Sequence, residues 1–365
     1  MPSGIKIATI QQILNLFNFL IIQATVNRKV MGSDNKVRQF NHPFVQTCVM
    51  FIGEILCLLA FKILFSYYSR RQVTIQDINV IRGNQNFNSF IFLPPAIFDI
   101  VATSLMYIGL EMTYVSSFQM LRGSVIVFVA LLSQNFIGRT IKIHQWGGIL
   151  FIILGLVVVG WSDFKFKEKS VDTNTIITGD LLIIIAQIIT ACQIVYEEKF
   201  LLEKDIPPLQ AVGWEGIFGF VILSILLFPF YYIHVGYPFE NNPREVLEDL
   251  PDAITQMINN KLILVSLLGT MISIAFFNFA GTSMTKEISA TTRMVLDTVR
   301  TFFIWIYSII FSWQAFEYPQ LFGFLILLVG MVIYYNIIPI RHFHFYQYGE
   351  LTPEEPIINQ KADET

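Results

Sequence analysis

Charge is what this sequence has least of. Asp, Glu, Lys and Arg make up 14% of its 365 residues, against 54% hydrophobic ones, and the mean hydropathy is +0.58. Soluble domains usually carry about 25% charged residues. That deficit excludes an ordinary soluble globule and points to a polytopic membrane protein. The formal net charge is −3, and no basic run interrupts the chain, so nucleic acid and polybasic lipid sites are not expected. Cysteine is scarce too. Cys48, Cys57 and Cys192 lie in apolar stretches with no disulfide framework and no zinc spacing, and read as small buried hydrophobes. The five histidines show no metal spacing; His342 and His344 alternate with aromatics as a membrane-edge segment does. A glycine-rich phosphate loop and a catalytic triad are both lacking. The expectation is therefore no enzyme, no cofactor, no metal and no ATP drive. No Asn-x-Ser/Thr sequon occurs.

What is there is a series of apolar windows, each about 20 residues long, the length that spans a bilayer as a helix. They fall near 7–26, 44–67, 91–110, 115–137, 144–161, 178–199, 210–233, 261–282, 289–312 and 319–340. The first is rich in Gln and Asn with no small-residue cleavage site after it, so an uncleaved span is expected and not a signal peptide. Pro94 and Pro95 suit a helix start. Gly138, Arg139 and Lys142 mark a tight loop, and Pro207 and Pro208 break the chain between spans six and seven. Residues 237–260 are acidic and contain proline, which reads as a surface loop with a short helix. Lys and Arg are slightly more numerous on the side of the termini, favouring cytosolic ends.

A shift of 175 residues brings two segments into register without a gap over about 45 residues. Ser116 and Ser117 fall on Thr291 and Thr292, Leu121 on Leu296 and Arg122 on Asp297. Gln145 and Gly148 fall on Gln320 and Gly323, and Gly155 on Gly330. Five spans precede the sixth, so the second half would lie inverted in the membrane. The fold class expected is an all-α polytopic membrane protein with ten transmembrane helices in two inverted five-helix repeats. The first half would run over 1–170, the second over 171–340 and a cytosolic tail over 341–365. Inverted repeats of this kind are common in secondary transporters, with the site near the midplane. The glycines, seven apart on one helix face in each half, suit close helix packing.

The charges that do occur inside spans carry the functional reading. Arg293, Asp297 and Arg300 share one helix face in the middle of an apolar stretch. Each costs about 2.5–3.5 kcal/mol to place there, so they should face protein or water, either as a brace between helices or as a solute pathway. Span four offers Gln119 and Arg122 at the matching depth. Arginine forks suit carboxylate or phosphate groups, so Arg122 either touches a solute or bridges to Asp297. Glu54 and Asp99 are single carboxylates in apolar surroundings, candidates for proton coupling or for pairing with a buried arginine. Glu197, Glu198 and Lys199 end span six, where interfacial placement is expected. Gln187, Gln193 and Asn278 are hydrogen-bond donors for a cavity or for helix contacts.

Several strings then become recognisable: SSFQMLRG at 116–123, GDLLIII at 179–185 with AQII at 186–189, EEKF at 197–200, GFVILS at 219–224, SIAFFNFAG at 273–281 and ATTRMVLD at 290–297. They resemble the F subfamily of solute carrier family 35, within the drug/metabolite transporter superfamily that includes nucleotide-sugar transporters. The resemblance covers most of residues 44–340. It implies ten helices in two inverted halves around a central cavity, and lysosomal or mitochondrial membranes. The string that reads guanine nucleotide sugars in related carriers is missing; ATTRM stands at 290–294 instead. In the tail, Tyr348 and Leu351 resemble a tyrosine-based endosomal–lysosomal sorting signal.

Together these features describe a secondary transporter of a small polar or anionic metabolite working by alternating access in an endomembrane, lysosomal or endosomal, with mitochondrial or Golgi membranes as alternatives. The substrate-binding residues would be Gln119, Arg122, Gln187, Asn278, Arg293, Asp297 and Arg300. Its partners would be the small-molecule solute, the lipid bilayer, and a second copy or other membrane proteins. The rival reading is a non-transporting scaffold or regulator that binds other membrane proteins. One expectation is testable at once. Epitope tags at residues 1 and 365 should both be digested by protease added to the cytosolic side of sealed vesicles, and tags on opposite sides would overturn the ten-span count.

Overall fold

The computed structural model describes residues 29–71, 81–113, 117–118, 121–138, 140–166, 173–236, 242–287, 289–291, 293–294, 297 and 318–334. The expected first span, most of the ninth, and the tail lie outside the described residues. So do Gln119, Arg300, Tyr348 and Leu351.

The described chain is almost entirely helical. A short hairpin, β1 (Lys29–Met31) and β2 (Val37–Gln39), comes first. Helix α1 runs over Pro43–Arg70, and α2 over Leu93–Met112 behind a 3-10 turn at Ser89–Phe92. A second 3-10 turn, Arg122–Ser124, leads into α3 (Val125–Ile137). Then follow α4 (Ile143–Phe166), α5 (Thr173–Glu203) and α6 (Pro208–Phe230). Helix α7 (Leu250–Asn259) is short; α8 (Lys261–Glu287) and α9 (Tyr318–Tyr334) complete the set. By length and composition, α1, α2 with its 3-10 turn, α5, α6 and α8 are able to cross a membrane. The boundaries follow local chemistry. Proline stands in the first turn of α1, α2, α6 and α7, where its missing N–H costs nothing. Gly138 closes α3 at φ 75°, a left-handed cap that glycine adopts without penalty.

The burial pattern is that of a membrane body. Large apolar side chains point outward, among them Val221, Ile225 and Phe228 on α6 and Val265, Leu268 and Ile272 on α8. Carboxylates point inward: Glu54, Glu197, Glu198 and Glu215 are all buried. Lipid accepts the first arrangement, and only protein or trapped water accepts the second.

Contacts sort the connections onto two ends. At one end Asn41 Nδ2 donates to Glu111 Oε1 at 3.2 Å, Thr113 Oγ1 donates to Asp180 Oδ1 at 2.6 Å, and the hairpin meets α7. At the other, Asn84 N donates to the Asp205 carbonyl at 2.8 Å and Lys286 Nζ pairs with Asp205 Oδ1 at 2.7 Å.

Helices α4 and α9 pack without polar groups at their closest points. A Cβ on Gly148 would stand 2.7 Å from the Gly330 carbonyl oxygen, and one on Gly155 2.7 Å from that of Gly323. The two backbones therefore touch, which only glycine permits. Leu327 and Met331 of α9 and Ile149 and Ile152 of α4 fill the seam around them.

The short helix expected in the 237–260 stretch is α7, but residues 242–260 also build a packed cap with the hairpin, which was not legible beforehand. Val30 and Phe40 pack with Val45, Ala253, Ile263 and Leu267 into one apolar cluster. Above it His42, at the N-terminus of α1, lies between two carboxylates. Its Nδ1 is 2.7 Å from Glu248 Oε1 and its Nε2 3.5 Å from Asp252 Oδ2. Glu248 Oε2 also accepts from Phe44 N at 3.0 Å, and Asp252 Oδ1 from Ser33 N at 2.6 Å. Asn259 Nδ2 donates to the Met31 carbonyl at 3.0 Å. The cap so formed ties the hairpin, α1, α7 and α8 together.

Burial alone would pull the His42 imidazole down, but hydrogen bonds and charge from Asp252 and Glu248 outweigh it and hold the group up at about 9. Asp252 is held below the ordinary carboxylate range: burial opposes this, but hydrogen bonds from His42 and Ser33 dominate. Stability from His42 is thus complete below its ordinary pKa of 6.5 and is lost as pH rises through about 9. The Asp252 share is present above its ordinary 3.8 and is lost in acid. The melting temperature of the detergent-solubilised chain should be flat between about pH 3.8 and 6.5 and fall as pH rises from there to about 9. His42→Ala strands two buried carboxylates, should cost about 3–5 kcal/mol, and should remove that alkaline fall.

Candidate functional site

Five helices bring polar side chains to one interior region. Helix α1 supplies Glu54 from near its middle, with Gly216 of α6 making room. A Cβ on Gly216 would stand 2.5 Å from the Glu54 Cβ. Asn278 of α8 donates from Nδ2 to Glu54 Oε1 at 2.5 Å. Glu54 is 3% exposed, and its second oxygen has no hydrogen-bond partner among the described residues.

Helix α2 contributes Asp99, whose Oδ1 accepts from Thr103 Oγ1 at 3.3 Å. Asp99, Thr103 and Tyr107 are half-buried, while Ile97 and Val101, on the opposite face of the same helix, are exposed. Asp99 therefore lies on the face of α2 turned away from the exposed apolar side chains. Tyr107 lies within electrostatic reach of Arg122 and Asp99.

Helices α5 and α6 add a second acid pair. Gln193 Nε2 donates to Glu215 Oε1 at 2.7 Å, and Glu197, one turn further along α5, is buried on the same face as Gln193. Arg293 faces them from the segment beyond α8. Its Nη1 lies 3.8 Å from Glu197 Oε2 and 3.5 Å from Thr285 Oγ1, both long for a charged pair, and its Nε has no hydrogen-bond partner among the described residues. Gly281 makes the space for its guanidinium: a Cβ there would stand 2.7 Å from Nε and 2.8 Å from Cζ. Glu54, Asp99, Glu197, Glu215 and Arg293 thus form one electrostatically connected centre.

The residues expected from sequence divide accordingly. Glu54, Asp99, Asn278 and Arg293 come together. Arg122 is half-buried at the Tyr107 edge, with its guanidinium 5.7 Å from the Phe118 ring centroid, close enough for a cation–π contact. Asp297 is half-buried. Gln187 is buried but shares its helix face with Ala191 and Ile194, which pack in the cluster around α3 and α4. Gln119 and Arg300 lie outside the described residues.

Two members were missed. Glu197 was expected at the membrane interface, but it is 4% exposed and faces Arg293. Glu198, beside it, is fully buried. Helix α5 simply runs on to Glu203, past the end of its apolar window. Glu215 is a lone acid in the apolar window of α6, the same signal that marks Glu54 and Asp99. Among the described residues no grouping of His, Cys, Asp and Glu has the geometry to hold a metal ion.

Comparison with known proteins points one way. The profile of a family described as nucleotide-sugar transporter matches residues 11–209. The chain is 54% identical over 301 residues to Solute carrier family 35 member F6 of Pongo abelii, covering 82% of this chain and 80% of that one. It is 50% identical over 331 residues to the Homo sapiens protein of the same name, covering 90% and 86%. A UDP-N-acetylglucosamine transporter of Rattus norvegicus is 21% identical over 211 residues, 55% of this chain and 64% of its own. One crystal structure shares the fold with a TM-score of 0.55 at 12% identity, over 91% of this chain and 96% of its own.

The Arg293–Glu197 pair can be weighed by a double-mutant cycle. Glu197→Leu leaves a buried guanidinium without its counter-charge and should cost about 3–5 kcal/mol. Adding Arg293→Leu should recover most of that loss. Melting temperatures in detergent read both; a double variant no more stable than the worse single one would remove the pairing.

Proposed function

The chain belongs to the nucleotide-sugar transporter family, among the members of solute carrier family 35, and from that premise we propose that it is a secondary transporter. It moves a small polar solute across an endomembrane by alternating access, with the charged interior centre as its binding site. The observation that carries this reading is the placement of that centre. Glu54 and Asp99 come from the expected first half; Glu197, Glu215, Asn278 and Arg293 come from the second. A site assembled across both halves is exposed to either side when the halves rock against each other.

The seam between α4 and α9 supports the repeat. The register of 175 residues makes Gly148 equivalent to Gly323 and Gly155 to Gly330. The contacts are Gly148 with Gly330 and Gly155 with Gly323. Exchanging equivalent residues turns one contact into the other, the signature of a two-fold axis. Helix α8 packs on α1 and α2 on α6, which supports a repeat in which spans two and three correspond to spans seven and eight. Ten spans in two inverted halves, with the division near residue 170, agree with this arrangement. So does the sorting of connections onto two ends.

A scaffold has no need for such a centre. Replacing buried ion pairs by packed apolar residues is often neutral or stabilising, so charges kept at depth favour a solute role. Arg293, with long contacts and an Nε without a partner among the described residues, is a cationic member of the site; Arg122, Asp297 and Arg300 are its proposed neighbours. Glu54 and Asp99 are proposed to couple solute movement to protons. Tyr348 and Leu351 are proposed to direct the chain to endosomal or lysosomal membranes.

The test is uptake by liposomes containing the purified full chain, screened over labelled polar metabolites with and without a proton gradient. Accumulation of at least one solute is expected. Arg293→Gln should reduce it at least tenfold per folded protein, and adding Glu197→Gln should restore the melting temperature without restoring uptake. No uptake of any solute, together with stable co-purification of other membrane proteins, would overturn transport in favour of a scaffold.

A further inference from the structure

The centre is more acidic than the sequence led one to expect. Four carboxyl groups, Glu54, Asp99, Glu197 and Glu215, face the guanidinium of Arg293. We infer that this four-carboxyl centre recognises a solute bearing an ammonium or amidinium group, and that such a solute competes there with protons. The inference rests on the transport reading above and narrows its substrate class.

Three observations on different residues converge on it. Glu54 is 3% exposed, and its Oε2 has no hydrogen-bond partner among the described residues, while Oε1 is taken by Asn278. A buried carboxylate oxygen without a donor is a place for one, and an ammonium brings three. On the same face of α2, Asp99 and Thr103 are only half-buried. Finally, Gln193 binds Glu215, and Glu197 stands one turn along α5 from Gln193, both acids buried. Two carboxyl groups buried in one corner resist ionising together, so one keeps a proton. An arriving ammonium supplies its own N–H donors and positive charge, and that proton leaves for water. No covalent bond to carbon or nitrogen changes, and charge is conserved as one cation enters and one proton departs.

The surrounding groups agree. Glu54 is faced by Asp99 from α2, Glu197 from α5, Glu215 from α6 and Arg293 beyond α8. Arg122 stands further off, at the Tyr107 edge. A nucleoside diphosphate would carry two or more negative charges into this setting. Neighbouring donors are amides, Asn278 and Gln193, already turned toward carboxylates. Divalent metal is a poorer fit than an organic cation, because the acids belong to four different helices and no metal-holding group of His, Cys, Asp and Glu occurs among the described residues.

The experiment uses the purified full chain in weakly buffered detergent with benzamidine, tyramine and putrescine as cationic probes, and succinate and UDP-N-acetylglucosamine as anionic ones. At least one cationic probe should raise the melting temperature and release protons, read by a pH-sensitive dye. Its apparent Kd should weaken by up to tenfold per pH unit as acid is added. This readout needs no variant. Glu215→Gln and Glu54→Gln should each abolish the proton release; where one fails to fold, the pH dependence of the unaltered chain decides. Stabilisation by succinate or UDP-N-acetylglucosamine and by none of the cations would overturn the inference. Cation binding without proton release, or with an affinity independent of pH, would overturn the competition. The transport reading stands or falls separately. Cation binding with no liposome uptake defeats transport and keeps the site; uptake of an anion alone keeps transport and defeats the site.

Discussion

A body that turns apolar side chains to its surroundings must settle every interior charge within itself. Here the settlement runs between helices. Glu54 on α1 takes its amide from α8, Glu215 on α6 takes its amide from α5, and Glu197 on α5 faces an arginine beyond α8. None of these groups finds its partner on its own helix. Each pair therefore fixes the rotation of one helix against another, which apolar packing in lipid does only weakly, since lipid tails compete on equal terms with leucine. Glycine provides the complementary control. Gly216 and Gly281 are cut away where a charged stem and a guanidinium must pass.

Two kinds of contact coexist in this arrangement. The α4–α9 seam is dry, with backbones touching at Gly148 and Gly330 and at Gly155 and Gly323. The charged centre is loose, with Arg293 at 3.5 and 3.8 Å from its nearest acceptors. Close packing has little room to adjust, whereas a long ion pair can re-form with a different partner at small cost. A firm seam and a loosely satisfied interior are the mechanical requirements of rocking halves, and the cap around His42 adds a third element at one end.

Much of this was legible beforehand, and the reasons are particular. Eight of the ten apolar windows coincide with described helices or parts of them, because twenty apolar residues leave a chain few alternatives. Proline at Pro94, Pro95 and Pro208, and glycine at Gly138, marked helix ends by backbone geometry alone. Glu54, Asp99, Asn278 and Arg293 stood out as polar groups in apolar runs, and they converge. Glu197 did not, because it sits at the edge of its window, where sequence cannot separate a helix that ends from one that continues. The hairpin escaped notice because three-residue strands carry no periodicity. Its place depends on His42, Glu248 and Asp252, residues up to 210 positions apart in the sequence.

Distance along the chain also matters in time. Glu54 and the amide that satisfies it, Asn278, are separated by 224 residues. At roughly 5–20 residues per second of synthesis, the carboxyl enters the membrane ~10–45 s before its partner exists. Arg293 follows later still. For that interval the first half must hold an acidic group at depth with no lasting counterpart, so water, a proton or the insertion machinery itself has to keep it company. The pairing that defines the finished interior is thus also a debt carried through biogenesis, and any replacement that hastens or delays the second half will be felt first at Glu54.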